Sequence, residues 1–342
     1  MPVAPRRARG KLPLVKAWIL DETPGAYRLG DVEPATVGDT DVAVRIAASA
    51  LNHIDLWLAR GKPRPRAFPH VPGADGAGVI AAVGSAVDRW SVGDEVVISA
   101  AIISADAEDR LGIDSVLDRG LQVMGEHRWG THCELVVVPA AAVVAKPPTI
   151  SWAQAAAYPV GFGTAWRMIR RGRVTAGERV LITGIGGGVA MAALQLCCHL
   201  GAEVLVTSRD EAKVQRGIEL GAAGGFDSAG PYEPVDVVLD SIGPAIWEPA
   251  VAALRPGGRF VTCGGTSGTK VTVDIPKLFF RQHELIGSTL ASYEEFAQVT
   301  AVISAGVEPI VDVVMSFADY AAALDRIRSG SQVGKIVLDH RS

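Results

Sequence analysis

The segment Val180–Asp210, VLITGIGGGVAMAALQLCCHLGAEVLVTSRD, constrains the fold more than any other part of the chain. Val180, Leu181 and Ile182 form a short apolar run, as a strand buried on both faces requires. Four of the five residues from Gly184 to Gly188 are glycine. Val189, Ala193, Leu196 and Leu200 then recur at helical spacing until Gly201 stops the helix. Val204–Val206 begins a second strand. Strand, glycine turn, helix and strand in this order build a dinucleotide site. Glycines let the backbone approach a pyrophosphate, and the helix N-terminus offers N–H groups and the positive end of its dipole. Gly184, Gly186, Gly187, Gly188 and Val189 are therefore the expected pyrophosphate contacts.

The tip of the second strand selects the nucleotide. A site for NAD usually carries Asp or Glu about 20 residues past the first glycine, where it accepts from the ribose hydroxyls. Here Thr207, Ser208 and Arg209 stand there, and Asp210 reads as the cap of the next helix, with Lys213 one turn on. A hydroxyl, a guanidinium and an ammonium suit a 2′-phosphate, which a carboxylate would repel. Ser208, Arg209 and Lys213 thus point to NADP(H).

A chain of 342 residues accommodates two domains. Its hydrophobic content of 49% with 20% charged residues suits an α/β enzyme core. A net charge of −4 provides no basic stripe for nucleic acid, and no apolar run approaches a membrane span. The basic N-terminal tail has no apolar segment behind it and does not read as a secretory signal. Cys133, Cys197, Cys198 and Cys263 show no metal-ligand spacing and fit a reduced, cytoplasmic setting.

Along the chain, residues 1–14 read as a disordered tail. Residues 15–150 read as short strands and glycine turns, a β-rich, partly barrel-like domain. From Ser151, strand and helix patterns alternate to about 290, predicting a doubly wound parallel sheet. The segment 291–342 holds a helix, a strand, a helix and a strand, which either extend that sheet or return to the first domain.

Several separated motifs now join the dinucleotide segment. PGADGAGVIAAVG at 72–84 is similar to a Gly-His-Glu-x-x-Gly-x-Val-x-x-Val-Gly segment, and VGDEVV follows it. ALNHIDLWLARG at 50–61 looks like the active-site strand and helix of zinc-free quinone oxidoreductases, and GKIVLD resembles a closing strand. From about 15 to 340 the chain resembles the medium-chain dehydrogenase/reductase superfamily. That resemblance implies a GroES-like catalytic domain formed by both chain ends, with the Rossmann domain inserted between them, and a homodimer. It also implies cofactor contacts near the nicotinamide from Thr164, Ser241, Gly243, Gly264, Gly265 and Thr266, with Lys335 near the cofactor or the cleft.

Relative to the zinc alcohol dehydrogenases, Asn52 stands at the first Cys position, Ala74 at the His, Asp75 at its neighbouring Glu and Val160 at the second Cys. Alanine and valine have no donor atom, whereas catalytic zinc needs three protein ligands and an open position. The segment 103–139 keeps the outline of a structural zinc lobe, with its cysteines replaced by Ser104, Ala107, Arg110 and roughly Asp118. Neither zinc is expected.

Without a Lewis acid, a localised alkoxide is hard to stabilise, whereas a quinone or conjugated enone spreads the charge. The expected function is zinc-independent, NADPH-dependent hydride transfer to such a small molecule. Two alternatives are an alcohol or aldehyde dehydrogenase with unusual metal ligands and a non-catalytic NADP(H)-binding protein. Asn52, His53 and Asp55 are the catalytic candidates. Asn52 reads as a ligand of the substrate carbonyl, as a ribose ligand or as a turn residue. His53 reads as a proton relay, a pyrophosphate contact or a packed histidine, and Asp55 as an acid–base group or the support of a helix start.

Overall fold

The computed structural model describes residues 13–342, so most of the predicted N-terminal tail, residues 1–12, lies outside the described residues. The chain divides into two units, Met1–Val160 with Ser292–Ser342, and Gly161–Ala291.

The second unit is built on six parallel strands. Along the sheet they run Gly224–Asp227, Glu203–Ser208, Arg179–Ile182, Val235–Asp240, Leu254–Thr262 and Glu284–Gly287. The strand first in chain order lies third, and the order reverses beside it, which makes the sheet doubly wound and opens a crevice at the strand C-termini. Val180, Leu181, Ile182, Val237, Val238 and Leu239 are all buried, which explains why these strands read as continuous apolar runs rather than alternations. The helix Gly188–His199 buries Ala190, Met191, Ala193, Leu194 and Leu196. Opposite packing comes from Trp247 and Phe260, whose rings meet edge to face with centroids 4.8 Å apart. The edge strand Gly224–Asp227 escaped the sequence reading, because its residues GGFD carry no apolar run and are only partly buried or exposed.

The first unit holds a seven-stranded sheet. Its path runs Val311–Ser316, Lys335–Asp339, Asp41–Ala50, Asp75–Val83, Glu95–Ile98 and Val143–Ala145, with Leu135–Pro139 also paired to Asp41–Ala50. Lys335–Asp339 lies antiparallel to Asp41–Ala50, with Val337 opposite Ala50, so the end of the chain joins this sheet rather than extending the parallel one. The central strand Asp41–Ala50 buries both faces, and Arg45 alone is exposed along it.

The lobe after residue 100 is held by local bonds. Ser104 caps the helix Ala105–Leu111, its hydroxyl accepting from the Ala107 amide at 3.2 Å. Arg110 pairs with Asp118 at 2.5 Å, and Asp118 also accepts from the Gly120 amide at 2.7 Å. His127 accepts from the Val123 amide and Arg128 donates to the Val137 carbonyl, so both serve the lobe's own packing.

Candidate active site

In the second unit, the nucleotide candidates gather at the C-terminal edge of the parallel sheet. The glycine turn is pinned to the neighbouring strand: the Gly184 amide donates to the Thr207 hydroxyl at 3.3 Å and the Ile185 amide to the Thr207 carbonyl at 2.8 Å. Gly184 has a φ of +67°, which favours glycine, and a Cβ there would stand 2.5 Å from the tip of the Ile242 side chain, which would have to shift. Gly187 is the N-cap of the helix Gly188–His199 and brings no side chain to the amides of its first turn. These features fit a pyrophosphate cradle.

Beside it, the loops after Val235–Asp240 and Leu254–Thr262 interlock. The Ser267 amide and hydroxyl both donate to the Ile242 carbonyl, and Thr266 donates to the Ser241 carbonyl at 3.4 Å. A Cβ on Gly264 would lie 2.9 Å from the Ser241 carbonyl, which brings Ser241, Gly243, Gly264, Gly265 and Thr266 into one patch. Asp240, which the sequence reading passed over, organises that patch. It is buried and accepts from the hydroxyls of Thr183 (2.7 Å) and Thr262 (3.1 Å) and from the amides of Ile242 (2.9 Å) and Gly243 (3.1 Å). Burial nevertheless raises its pKa, the hydrogen bonds offsetting only part of that effect. The signal was present in the sequence, as an acid closing the apolar run VDVVLD.

At the tip of Glu203–Ser208, the Ser208 hydroxyl accepts from the Asp210 amide at 3.1 Å. Asp210 caps the following helix by accepting from the Ala212 amide at 3.0 Å, while Arg209 is exposed and Lys213 lies on that helix. Thr164 is buried on the helix Pro159–Arg171.

The first unit holds a separate polar cluster. Asn52, Asp75 and Lys335 sit at the ends of three adjacent strands, because Ala50 is in register with both Asp75 and Val337. The Lys335 ammonium donates to the Leu51 carbonyl at 2.6 Å, to Asn52 Oδ1 at 2.7 Å and to Asp75 Oδ2 at 2.7 Å. Asn52 Nδ2 donates to the same Asp75 oxygen at 2.8 Å, and the other carboxylate oxygen accepts from the Val160 amide at 2.7 Å. Lys335, placed by resemblance near the cofactor or cleft, thus has all three of its protons engaged within this cluster. Asp75, named in the sequence only as a replaced Glu, is its hub and is fully buried.

Asp55 is also fully buried and accepts from the Asn52 amide at 2.8 Å, at the start of the helix His53–Ala59. That contact makes it a support of the helix start behind Asn52. His53 lies with its ring centroid 6.1 Å from that of Trp57. Burial, and then the charge of Lys335, hold its pKa below the usual histidine value.

Behind the cluster runs a buried polar chain. His132 Nε2 approaches Asp55 at 3.5 Å, and the Ser49 hydroxyl bridges His132 Nδ1 (2.9 Å) and His340 Nε2 (2.8 Å). Burial and the nearby His132 push the His340 pKa down to about 3. An imidazole neutral in the folded chain but protonated in the unfolded chain contributes stability fully above the ordinary value of 6.5. That contribution is lost as pH falls from there towards 3. Relative to the parent, His340→Gln should flatten the fall in unfolding free energy over this window by up to about 1.4 kcal/mol per pH unit. Denaturant titrations at several pH values check this, and parallel curves would contradict it.

Comparisons with known proteins agree with this architecture. Residues 38–148 match the alcohol dehydrogenase GroES-like domain and residues 188–305 the zinc-binding dehydrogenase domain. A solved NAD-dependent alcohol dehydrogenase superposes with a TM-score of 0.89 at 33% identity, over 95% of this chain and 99% of that one. A crotonyl-CoA carboxylase/reductase of Cereibacter sphaeroides is 26% identical over 87% of this chain and 80% of its own length. The chloroplastic NADPH-dependent alkenal/one oxidoreductase of Arabidopsis thaliana is 29% identical over 73% of this chain and 63% of its own. The chain belongs to the medium-chain dehydrogenase/reductase superfamily. Within it, this is an oxidoreductase with a GroES-like unit and a Rossmann unit.

Proposed function

We propose that this oxidoreductase reduces an activated enone with NADPH and works without zinc. The observation that carries this reading is the Lys335 ammonium, bonded to Asn52 and Asp75 where the resemblance places zinc ligands. Ala74 and Val160 offer no side-chain donor, and a fixed ammonium repels a second cation close to it. Among the described residues, no group of three or more His, Cys, Asp or Glu side chains is arranged to hold a metal.

A dinucleotide held by the glycine turn and the Ser208–Lys213 strand tip would supply the hydride for the β-carbon of the conjugated acceptor. Negative charge then passes to the carbonyl oxygen, and the α-carbon takes a proton from water. The protein's task is to hold that oxygen. Asn52 does so through its carboxamide, and a charge delocalised over three atoms needs less help than an alkoxide. The similarity to crotonyl-CoA and alkenal/one reductases supports enones over quinones. Alcohol oxidation is the second reading, favoured by the NAD-dependent alcohol dehydrogenase neighbour. Steady-state NADPH oxidation with a small enone, a small quinone and an aldehyde, and NADP+ reduction with ethanol, separate these. Turnover confined to ethanol sinks the reading, and tight NADPH binding with no turnover of any acceptor favours a binding protein.

Preference for NADPH rests on Ser208, Arg209 and Lys213 at the strand tip, and on Asp210 being engaged as a helix cap. Loss of one charge-assisted contact costs about 1.5–3 kcal/mol, so Arg209→Ala should weaken NADPH roughly ten- to hundred-fold and leave NADH nearly unchanged. Titration of both nucleotides by fluorescence checks this, and equal effects on the two would refute the assignment.

We further propose a homodimer in a reduced, cytoplasmic setting. Four free cysteines support the setting. Ile275, Phe279, Phe280 and Leu285 are exposed on or near the edge strand Glu284–Gly287, apolar surface that a second copy would cover. Phe280→Asp should shift sedimentation from dimer to monomer, and a parent that already sediments as a monomer would contradict the proposal.

A further inference from the structure

Asn52 is the only asparagine in the chain, and its carboxamide is held between a cation and an anion. Its oxygen faces the Lys335 ammonium and its nitrogen faces the Asp75 carboxylate. The reverse orientation would set an NH2 group against an ammonium, so the network fixes which end is which. A carboxamide has two N–H donors. One is engaged by Asp75, and the other has no protein partner among the described residues.

We infer that Lys335 and Asp75 are positioning residues that lock and polarise the Asn52 carboxamide, so that its second N–H is presented as a strengthened hydrogen-bond donor to the substrate oxygen. A positive charge on Oδ1 draws electrons from the amide and makes its N–H protons more acidic. A carboxylate on the first N–H fixes the rotation about the side chain. Both effects strengthen in a buried, low-dielectric setting. Lys335 then acts through Asn52, since its own three protons are already engaged. It does not touch substrate. The cation so delivers part of its field to the reacting oxygen by way of a neutral group.

This inference rests on the enone reading above, but its first test does not depend on turnover. With 15N supplied only as asparagine, the side-chain NH2 of Asn52 gives one pair of signals. In the wild-type protein that pair should be displaced from the unstructured position, with two unequal protons that exchange slowly. Lys335→Met leaves a lone buried carboxylate and risks misfolding, so the double variant Asp75→Ser/Lys335→Met, which removes both charges and adds no second asparagine, accompanies it. In the folded double variant the pair should move towards the unstructured position. Its kcat for the enone should fall at least tenfold, and its NADPH affinity should stay within about twofold. Wild-type signals at the unstructured position, or signals unmoved in the double variant, overturn the clamp. So does a loss of NADPH affinity with kcat retained, which would return Lys335 to the cofactor. A wild-type enzyme that turns over no enone defeats the enone reading instead, and the Asn52 signals still decide the clamp.

Discussion

Gly187→Val should lose NADPH binding while keeping the fold. The backbone at Gly187 is extended, with φ −74° and ψ 154°, which any residue adopts. A Cβ added there meets nothing closer than the Gly184 carbonyl at 3.7 Å, an ordinary contact. The folded chain therefore has room for valine. The position is nevertheless the cap of the helix Gly188–His199, so a branched side chain stands over the amides that the pyrophosphate needs. Losing two charge-assisted contacts at about 1.5–3 kcal/mol each raises Kd by about 10²-fold or more. Calorimetric titration of NADPH, with the melting temperature of the free protein as control, checks this. Unimpaired binding by a folded variant would remove the turn from the site. Gly184→Val would be a poorer experiment, because its positive φ and its closeness to Ile242 confound binding with folding.

The second large effect falls on Asn52→Ala. Removing one preorganised donor to a developing oxyanion costs about 10²–10³-fold in kcat. The same loss is expected here for the enone, with NADPH affinity unchanged. Asn52→Asp should fail comparably, because it keeps the size but removes the donor. If Asn52→Ala retains turnover within about threefold of the parent, the carboxamide is not the group that holds the oxygen.

The parallel sheet was legible in the sequence because three of its inner strands are mostly buried, so the runs VLI, VLV and VDVVL stand out without any tertiary information. The glycine turn was legible for a similar reason, as its geometry tolerates few residues. The edge strand Gly224–Asp227 was not, since it borrows its pairing from Glu203–Ser208 and carries no apolar pattern of its own. The polar cluster shows the limit most clearly. Asn52 was singled out by its position, but Lys335 lies 283 positions away in the chain and meets it only because two strands pair beside Asp41–Ala50. No periodicity encodes that meeting. Asp75 and Asp240 each closed or opened an apolar strand, a visible signal whose meaning depended on the partners that the fold brought to them.

The central claim is that reduction of an enone proceeds here beside a fixed ammonium in place of a zinc ion. The most direct measurement is zinc content by elemental analysis and enone turnover with NADPH, made on the same purified sample before and after chelator dialysis. The account predicts undiminished turnover in protein that holds far less than stoichiometric zinc, with no gain when zinc is added back. A zinc ion in every chain, lost together with the activity and restoring it on return, would contradict it.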